Sequence, residues 1–215
     1  MVVLFTTLGF DEKFQVRAFM RWFRELESVV VIGSFSEERA KKALNSLLDV
    51  ANKANVKYDV LEVNPYDTVD MVVKIGGKIE EYKGKELVFN LSGGMRVISL
   101  TVLLVLSLKD VDAKVEVETE DMRHLATLNV RDFRPLSVSE EHLKVLSAVK
   151  AGYNSVNSIH KYLDLPLSTV WRRVKDLKEM GLVDENMRVT FRGELVLSTS
   201  SFSLERKTIP DRKEY

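Results

Sequence analysis

Short apolar runs rich in β-branched residues alternate with stretches of helical spacing along the first 130 residues. Two apolar runs predict buried strands at residues 2–6 and 28–32, an alternating run predicts a third strand at 56–63, and a further apolar run predicts a fourth strand at 86–91. The stretches with apolar positions every three or four residues predict helices at 11–26, 37–51 (with Ser36 as N-cap), 67–82 and 95–108. Two further runs, at 113–119 and 125–130, predict a hairpin. Four strand–helix units in succession indicate an α/β fold, a Rossmann-like doubly wound, mostly parallel sheet with a C-terminal hairpin.

The pattern becomes compactly helical after residue 138. Residues 131–138 contain a proline and show no period, which is typical of a linker. Helices are predicted at 139–150, 155–163 and 168–180, followed by a hairpin of 182–183 with 188–191 and a last helix at 193–200. We therefore predict a first domain at 1–130, a linker at 131–138, a second domain at 139–202 and a flexible tail at 203–215.

Charge and composition exclude several classes of protein. The 32 Lys and Arg side chains balance 32 Asp and Glu side chains, so bulk charge does not draw the chain to nucleic acid, although a local basic face stays open. Residues 135–215 hold 13 basic and 11 acidic side chains, a net of +2, which leaves −2 on the remainder. Cysteine is absent and the three histidines are spread apart, so we expect neither a thiol nucleophile nor a metal or cofactor.

The location of the protein is predicted from two further features. The N-terminus lacks the basic segment of a signal peptide. The longest apolar stretch, residues 97–108, is shorter than the roughly 20 residues of a membrane span. We therefore expect a soluble, cytoplasmic protein with no membrane partner.

The segment LSTVWRRVKDLKEMGLV closely resembles the recognition helix of winged helix-turn-helix regulators, with a Ser/Thr pair, basic residues and Gly-Leu-Val before the wing. On a helix, Val170, Val174 and Leu177 fall on one face, whereas Arg172 and Lys175 fall on the opposite face. An exposed face of this kind suits the major groove of DNA. The candidate DNA-binding residues are Ser168, Thr169, Trp171, Arg172, Arg173 and Lys175 in the helix and Arg188 in the wing. The alternative is a solvated basic face in a protein-interaction domain.

A second candidate site follows the fourth predicted strand. The motifs GxGxxG and GxxxxGK[ST] are absent, which weakens a nicotinamide or P-loop interpretation. The sequence NLSGGMR instead places Gly93 and Gly94 before a helix, where backbone N–H groups can approach an anion, and Arg96 adds a guanidinium. The alternative is a plain tight turn in which Arg96 is salt-bridged.

Three features together resemble one family. TTLGFD at the end of the first strand, NLSGGMR after the fourth and a C-terminal winged helix are similar to the CRISPR-associated Rossmann fold (CARF) regulators, above all the archaeal CARF–winged-helix transcription factors. The resemblance implies a two-fold dimer with a cyclic oligoadenylate, most often cyclic tetra-adenylate, across its axis. The implied ligand-binding residues are Thr7, Leu8, Gly9, Phe10, Ser92, Gly93, Gly94, Met95 and Arg96.

The function implied by the resemblance is a regulator of CRISPR–Cas genes in antiviral defence. Ligand binding by the homodimer would modulate binding of the winged helices to a palindromic operator in double-stranded DNA. We expect binding rather than catalysis, because Asp11 is the one candidate general base in these loops. A ring nuclease that cleaves the cyclic oligoadenylate and an adaptor for CRISPR effector proteins are the alternatives.

Overall fold

A computed structural model describes residues 1–133 and 136–204 of the chain. They belong to two compact units, Met1–Arg134 and Pro135–Tyr215, and each unit is described by itself. No helix within the described residues is long and apolar enough to cross a membrane.

The first unit is built on one six-stranded sheet. Its strands are β1 (Val2–Leu8), β2 (Leu26–Gly33), β3 (Lys57–Glu62), β4 (Glu86–Asn90), β5 (Lys114–Glu118) and β6 (Leu125–Asn129). Its helices are α1 (Lys13–Trp22), α2 (Glu38–Lys53), α3 (Thr68–Glu81) and α4 (Arg96–Leu108). The strand order is β3-β2-β1-β4-β5-β6, and only β6 runs antiparallel to its neighbour. The predicted Rossmann-like, mostly parallel sheet with a terminal hairpin is confirmed.

The strand β1 lies at the centre of the sheet and is buried along its whole length. Val3 and Phe5 point into a core with α3 and α4, whereas Val2 and Leu4 point into a second core with α1 and α2. Phe5 stacks on Phe89 of β4 with ring centroids 4.6 Å apart. Fully burying a side chain of this size stabilises a fold by about 1.5–3 kcal/mol, so the two central strands anchor the unit.

Several predicted boundaries were wrong by a few residues. The helix predicted at 11–26 ends at Trp22, because Leu26 is buried and already pairs with Val2 as the first residue of β2. Ser36 does not cap α2, which has Glu37 at its N-cap position. The first part of the predicted linker is a 3-10 turn, Val130–Phe133, and Val130 is buried in the core.

Within residues 136–204, the second unit has four helices, α5 (Glu140–Lys150), α6 (Val156–Leu163), α7 (Leu167–Glu179) and α8 (Phe191–Leu204). Its core includes Leu146, Ile159, Val170 and Leu177, one or two residues from each of α5, α6 and α7. Asp164 ends α6 with a left-handed φ of 51°, and Gly181 follows α7 with a φ of 71°. These two residues set the turns on either side of α7.

The predicted hairpin after α7 is reduced to one antiparallel bridge, Val183 with Val189. The helix predicted at 193–200 is longer at both ends and spans Phe191–Leu204. It begins earlier because Thr190 Oγ1 accepts a hydrogen bond from the Gly193 backbone N–H and Thr190 O accepts one from the Glu194 backbone N–H. The tail predicted at 203–215 overlaps the end of α8, and residues 205–215 lie outside the described part of the chain.

Candidate functional site

Two loops meet at the carboxyl ends of the adjacent strands β1 and β4. The β1 loop is residues 9–12, and the glycine loop is residues 91–95. A Cβ on Gly9 would lie 3.0 Å from the Cα of Gly94, and Gly94 has a φ of 85°. A Cβ on Gly94 would lie 3.2 Å from backbone atoms of Leu8. Glycine is therefore required here for both the close approach of the loops and the left-handed turn.

Hydrogen bonds from buried side chains hold the two loops together on the side of the protein interior. The Thr7 hydroxyl donates to the Gly93 carbonyl oxygen at 2.6 Å and lies 3.3 Å from the hydroxyl of Ser99. The buried side chain of Gln15 donates from Nε2 to the Thr7 carbonyl oxygen at 2.5 Å. Sequence reasoning missed Gln15, although a polar residue three and four positions before the apolar Ala18 and Phe19 was a visible signal.

Ser92 ties the glycine loop to the neighbouring strands. Its hydroxyl oxygen accepts hydrogen bonds from Asn90 Nδ2 at 3.1 Å and from the Glu118 backbone N–H at 2.9 Å. The buried Glu118 carboxylate is in turn bound by Arg17 at 2.7 Å and Arg21 at 3.1 Å, both from α1. The hydroxyl groups of Thr7 and Ser92 thus support the loops and are already engaged in the fold.

The loops enclose a pocket of about 250 Å³. Six of the predicted ligand-binding residues line it: Leu8, Gly9, Phe10, Gly93, Gly94 and Met95. Asp11, Phe14 and Ser34 complete the lining. Sequence reasoning missed Phe14 and Ser34, since neither belongs to a motif, and only the fold brings Ser34 of the β2 end to the β1 loop.

The pocket is lined by two aromatic rings and one carboxylate, and cations lie near these groups. The Arg39 guanidinium lies 5.4 Å from the centroid of the Phe10 ring. Hydrogen bonds from the Lys13 backbone N–H and ammonium group hold the pKa of Asp11 below its usual value. Arg96 is the exposed first residue of α4, and its side chain has no hydrogen-bond or ion-pair partner among residues 1–133 and 136–204. Arg96 is therefore not salt-bridged within the described residues, in contrast to the alternative of a plain tight turn.

The helix α7 presents an exposed basic face. Val170, Val174 and Leu177 are buried as predicted. The basic face of α7 consists of Ser168, Trp171, Arg172 and Lys175, all exposed, and Thr169 at its edge is half-buried. The Trp171 side chain is 58% exposed, with Lys175 Nζ 5.9 Å from its ring. Arg188 is also exposed, and its backbone N–H donates to Asp184 Oδ1.

Arg173 lies apart from this face. Its guanidinium donates to Glu141 at 2.7 Å and to Asp176 at 3.3 Å, and only 20% of the side chain is exposed. The interactions with these carboxylates turn Arg173 towards α5. No group of three or more His, Asp and Glu side chains within the described ranges is placed to hold a metal ion.

Comparison with protein families identifies the first unit. A model of the Csa3 CRISPR-associated Rossmann-like domain matches residues 2–129, more than half of the chain. The chain belongs to the Csa3 family. The matched residues include both loops and the whole six-stranded sheet, whereas the basic face of α7 lies beyond them. No curated protein sequence matches this Csa3-family chain.

Solved structures resemble the chain at low sequence identity. Can2 from Sulfobacillus thermosulfidooxidans in complex with cyclic tetra-adenylate has a TM-score of 0.50 and 10% identity, over 96% of this chain and 68% of Can2. The protein VC1899 from Vibrio cholerae has a TM-score of 0.47 and 15% identity, over 97% of this chain and 69% of VC1899. Enterococcus italicus Csm6 bound to cyclic hexa-2'-fluoro-hexa-dAMP has a TM-score of 0.47 and 9% identity, over 83% of this chain and 55% of Csm6. At these identities, the resemblance to Can2 shows the fold alone.

The packing of the glycine loop yields a prediction for this Csa3-family domain. A Cβ on Gly93 would lie 2.3 Å from Gln15 Nε2, so Gly93→Ala should destabilise the unit by about 1–3 kcal/mol. The matched control is Gly77→Ala on the exposed side of α3, which should stabilise the unit by about 0.5–1 kcal/mol through helix propensity. Urea unfolding of both variants measures the free energies. Equal effects of the two substitutions would contradict the tight packing of Gly93 on Gln15.

Proposed function

We propose that this chain is a ligand-responsive transcriptional regulator of CRISPR–Cas genes. In this proposal, a homodimer of the first unit binds cyclic tetra-adenylate, and the second unit, a winged helix-turn-helix, binds a palindromic operator. The observation that carries the proposal is the glycine-lined pocket at the strand ends of a Csa3-family domain, with the exposed Arg96 at the start of α4 directly after the lining residue Met95.

The chemistry of the pocket matches a cyclic oligonucleotide. The N-terminus of α4 and Arg96 offer backbone N–H groups and a guanidinium to phosphates. Phe10, Phe14 and Met95 offer apolar surface on which a base can stack. Can2, which has a similar fold, is in complex with cyclic tetra-adenylate. Together these features support a cyclic oligoadenylate as the ligand.

An apolar stripe along α4 supports the homodimer. Val97, Leu100, Leu104 and Leu108 are exposed and recur every three or four residues, with Leu100 and Leu108 65% and 69% exposed. An exposed apolar stripe of this length indicates a surface that another protein covers. A two-fold interface through α4 would bring two copies of Arg96 and of the glycine loop together, and a two-fold ring suits such a site.

The second unit supports DNA binding through its helix arrangement. The turn at Asp164 joins α6 to α7 as a helix-turn-helix, and the bridge Val183–Val189 forms a minimal wing that carries Arg188. Arg172 and Lys175 can reach guanine edges or phosphates from the exposed side of α7. The ligand would regulate this binding through different affinities for two states of the dimer.

Binding is preferred over ring cleavage because the pocket offers a weak base. Cleavage needs a group that takes the proton of a ribose 2′-OH. Asp11 is the only titratable side chain among the residues that line the pocket, and its lowered pKa makes it a poor proton acceptor. Incubation of labelled cyclic tetra-adenylate with the protein tests this point, since accumulation of linear products would establish a ring nuclease instead.

Arg96→Ala should weaken binding of cyclic tetra-adenylate by about 10- to 100-fold, because a hydrogen bond to a charged group contributes about 1.5–3 kcal/mol. Isothermal titration calorimetry measures the affinity. The control is Arg24→Ala, an exposed arginine that precedes β2 at the opposite end of the sheet and should leave ring affinity unchanged. Ring binding by Arg96→Ala at wild-type affinity would disprove the assignment of this site.

Leu100→Glu combined with Leu104→Glu should convert the dimer to a monomer, because two carboxylates would have to be buried in the interface. Sedimentation equilibrium measures the mass, and calorimetry should show weaker ring binding by the monomer. The control is Met20→Glu, an exposed apolar residue on α1. A dimer that survives the double substitution would place the interface elsewhere.

Arg172→Ala combined with Lys175→Ala should weaken operator binding by about tenfold or more, since each contact to a base contributes about 1–3 kcal/mol. The operator is selected from random double-stranded DNA by the full-length protein, and mobility shifts are measured at one salt concentration. The control, Lys144→Ala with Lys161→Ala, removes two exposed charges from α5 and α6. Undiminished binding by the first double variant would show that α7 does not contact DNA.

A further inference from the structure

A polar cluster joins the first turn of α5 to the middle of α7. The α5–α7 cluster consists of Glu141 and His142 of α5 and Arg173 and Asp176 of α7. Arg173 donates to Glu141 from two nitrogens, at 2.7 and 2.9 Å, and to Asp176 at 3.3 Å. His142 Nε2 lies 3.1 Å from Asp176 Oδ2. Three hydrogen bonds thus connect the two helices on one side of the buried stripe of α7, two between Arg173 and Glu141 and one between His142 and Asp176.

The cluster extends to the residue that begins α5. The Ser139 backbone N–H and hydroxyl approach His142 Nδ1 at 3.2 and 2.8 Å. A backbone N–H can only donate, so Nδ1 is an acceptor and Nε2 carries the proton that is donated to Asp176. The buried imidazole therefore acts as a bridge between the N-cap of α5 and a carboxylate of α7.

The electrostatics of the cluster are those of a satisfied network. The hydrogen bond with His142, followed by that with Arg173, lowers the pKa of Asp176. The hydrogen bond with Arg173 lowers the pKa of Glu141. Both carboxylates are consequently charged at neutral pH. Each is bound by a donor from the opposite helix, Glu141 by Arg173 and Asp176 by His142.

The cluster fixes the rotation of α7 about its own axis. Val170, Val174 and Leu177 are apolar side chains that pack in the core, and apolar contacts alone tolerate small rotations because they are not directional. The forked contact of Arg173 on Glu141 is directional. Arg172 and Lys175, each next to a cluster residue in sequence, are exposed on the other side of the helix, so their direction depends on this rotation.

We propose that Glu141, His142, Arg173 and Asp176 are positioning residues that set the orientation of the basic face of α7 towards DNA. In this proposal, Arg173 contributes to operator binding through the α5–α7 cluster and not through a phosphate contact. The inference rests on the proposed DNA-binding function, and it gives Arg173 a different role from the direct DNA contact that the sequence predicts.

Two substitutions with opposite charge effects separate positioning from direct contact. Glu141→Gln removes a negative charge from the DNA-binding unit, so it would leave binding unchanged or tighten it if Arg173 were a direct contact. The positioning role predicts instead that operator affinity falls by about fivefold or more. The matched control is Glu140→Gln, which removes the same charge from the same exposed turn of α5 outside the cluster and should leave affinity unchanged.

The salt dependence of Arg173→Gln gives the second readout. A direct phosphate contact would lower the slope of log affinity against log salt by about 1 when it is removed. The positioning role predicts weaker binding with an unchanged slope, and no further loss when Glu141→Gln is added to Arg173→Gln. Circular dichroism and urea unfolding establish that each variant is folded at the assay temperature.

The outcomes distinguish this inference from the proposed function. Loss of affinity in Glu141→Gln, together with the unchanged slope in Arg173→Gln, supports the inference. Wild-type affinity in Glu141→Gln, or a slope lowered by about 1 in Arg173→Gln, overturns the inference while DNA binding itself stands. A wild-type protein that selects no DNA at all refutes the proposed function and this inference together.

Discussion

The close approach of Gly9 to Gly94 is the contact on which the candidate site depends. The two loops follow neighbouring parallel strands, so the sheet brings their starting points within one strand spacing. Side chains at these two glycines would separate the loops. In addition, Gly94 has a left-handed φ, which favours glycine. The hydrogen bonds of Thr7 and Gln15 then fix the distance between the loops from the protein interior.

Residues that look like equivalent ligand-binding candidates in the sequence have different roles in this arrangement. Thr7 and Ser92 carry hydroxyl groups that could bind a ligand, yet both are engaged in hydrogen bonds that support the loops. Phe10, Met95 and Arg96 project beyond the loops and are exposed. A ligand would therefore meet backbone, apolar side chains and a guanidinium on a support that the hydrogen bonds of Thr7, Gln15 and Ser92 already hold in place, which limits the reorganisation that binding requires.

The fold of the first unit could be predicted almost completely from the sequence. The buried strands β1, β2 and β4 each contain a continuous apolar run, and the alternation of β1 residues between two cores follows from the pleat of the strand. Helix ends were less predictable, because the burial of Leu26 depends on a strand pairing made in three dimensions. Thr190 caps α8 through a local hydrogen bond that the apolar pattern does not show. The motifs located the glycine loop, whereas Phe14, Ser34 and Arg39 reach the site from elements that carry no motif. Arg173 shows the same limit on α7, since its neighbour Glu141 lies 32 positions earlier.

The proposed function requires an energetic coupling between the proposed ring-binding site and the proposed DNA-binding helix α7. Such coupling is reciprocal, so the factor by which cyclic tetra-adenylate changes operator affinity must equal the factor by which operator changes ring affinity. Titrations of the full-length protein with each ligand, in the absence and presence of the other, measure both factors under one buffer condition. The proposed coupling predicts equal factors of about fivefold or more, and their disappearance in Arg96→Ala. Ring and operator affinities that do not depend on one another would contradict it.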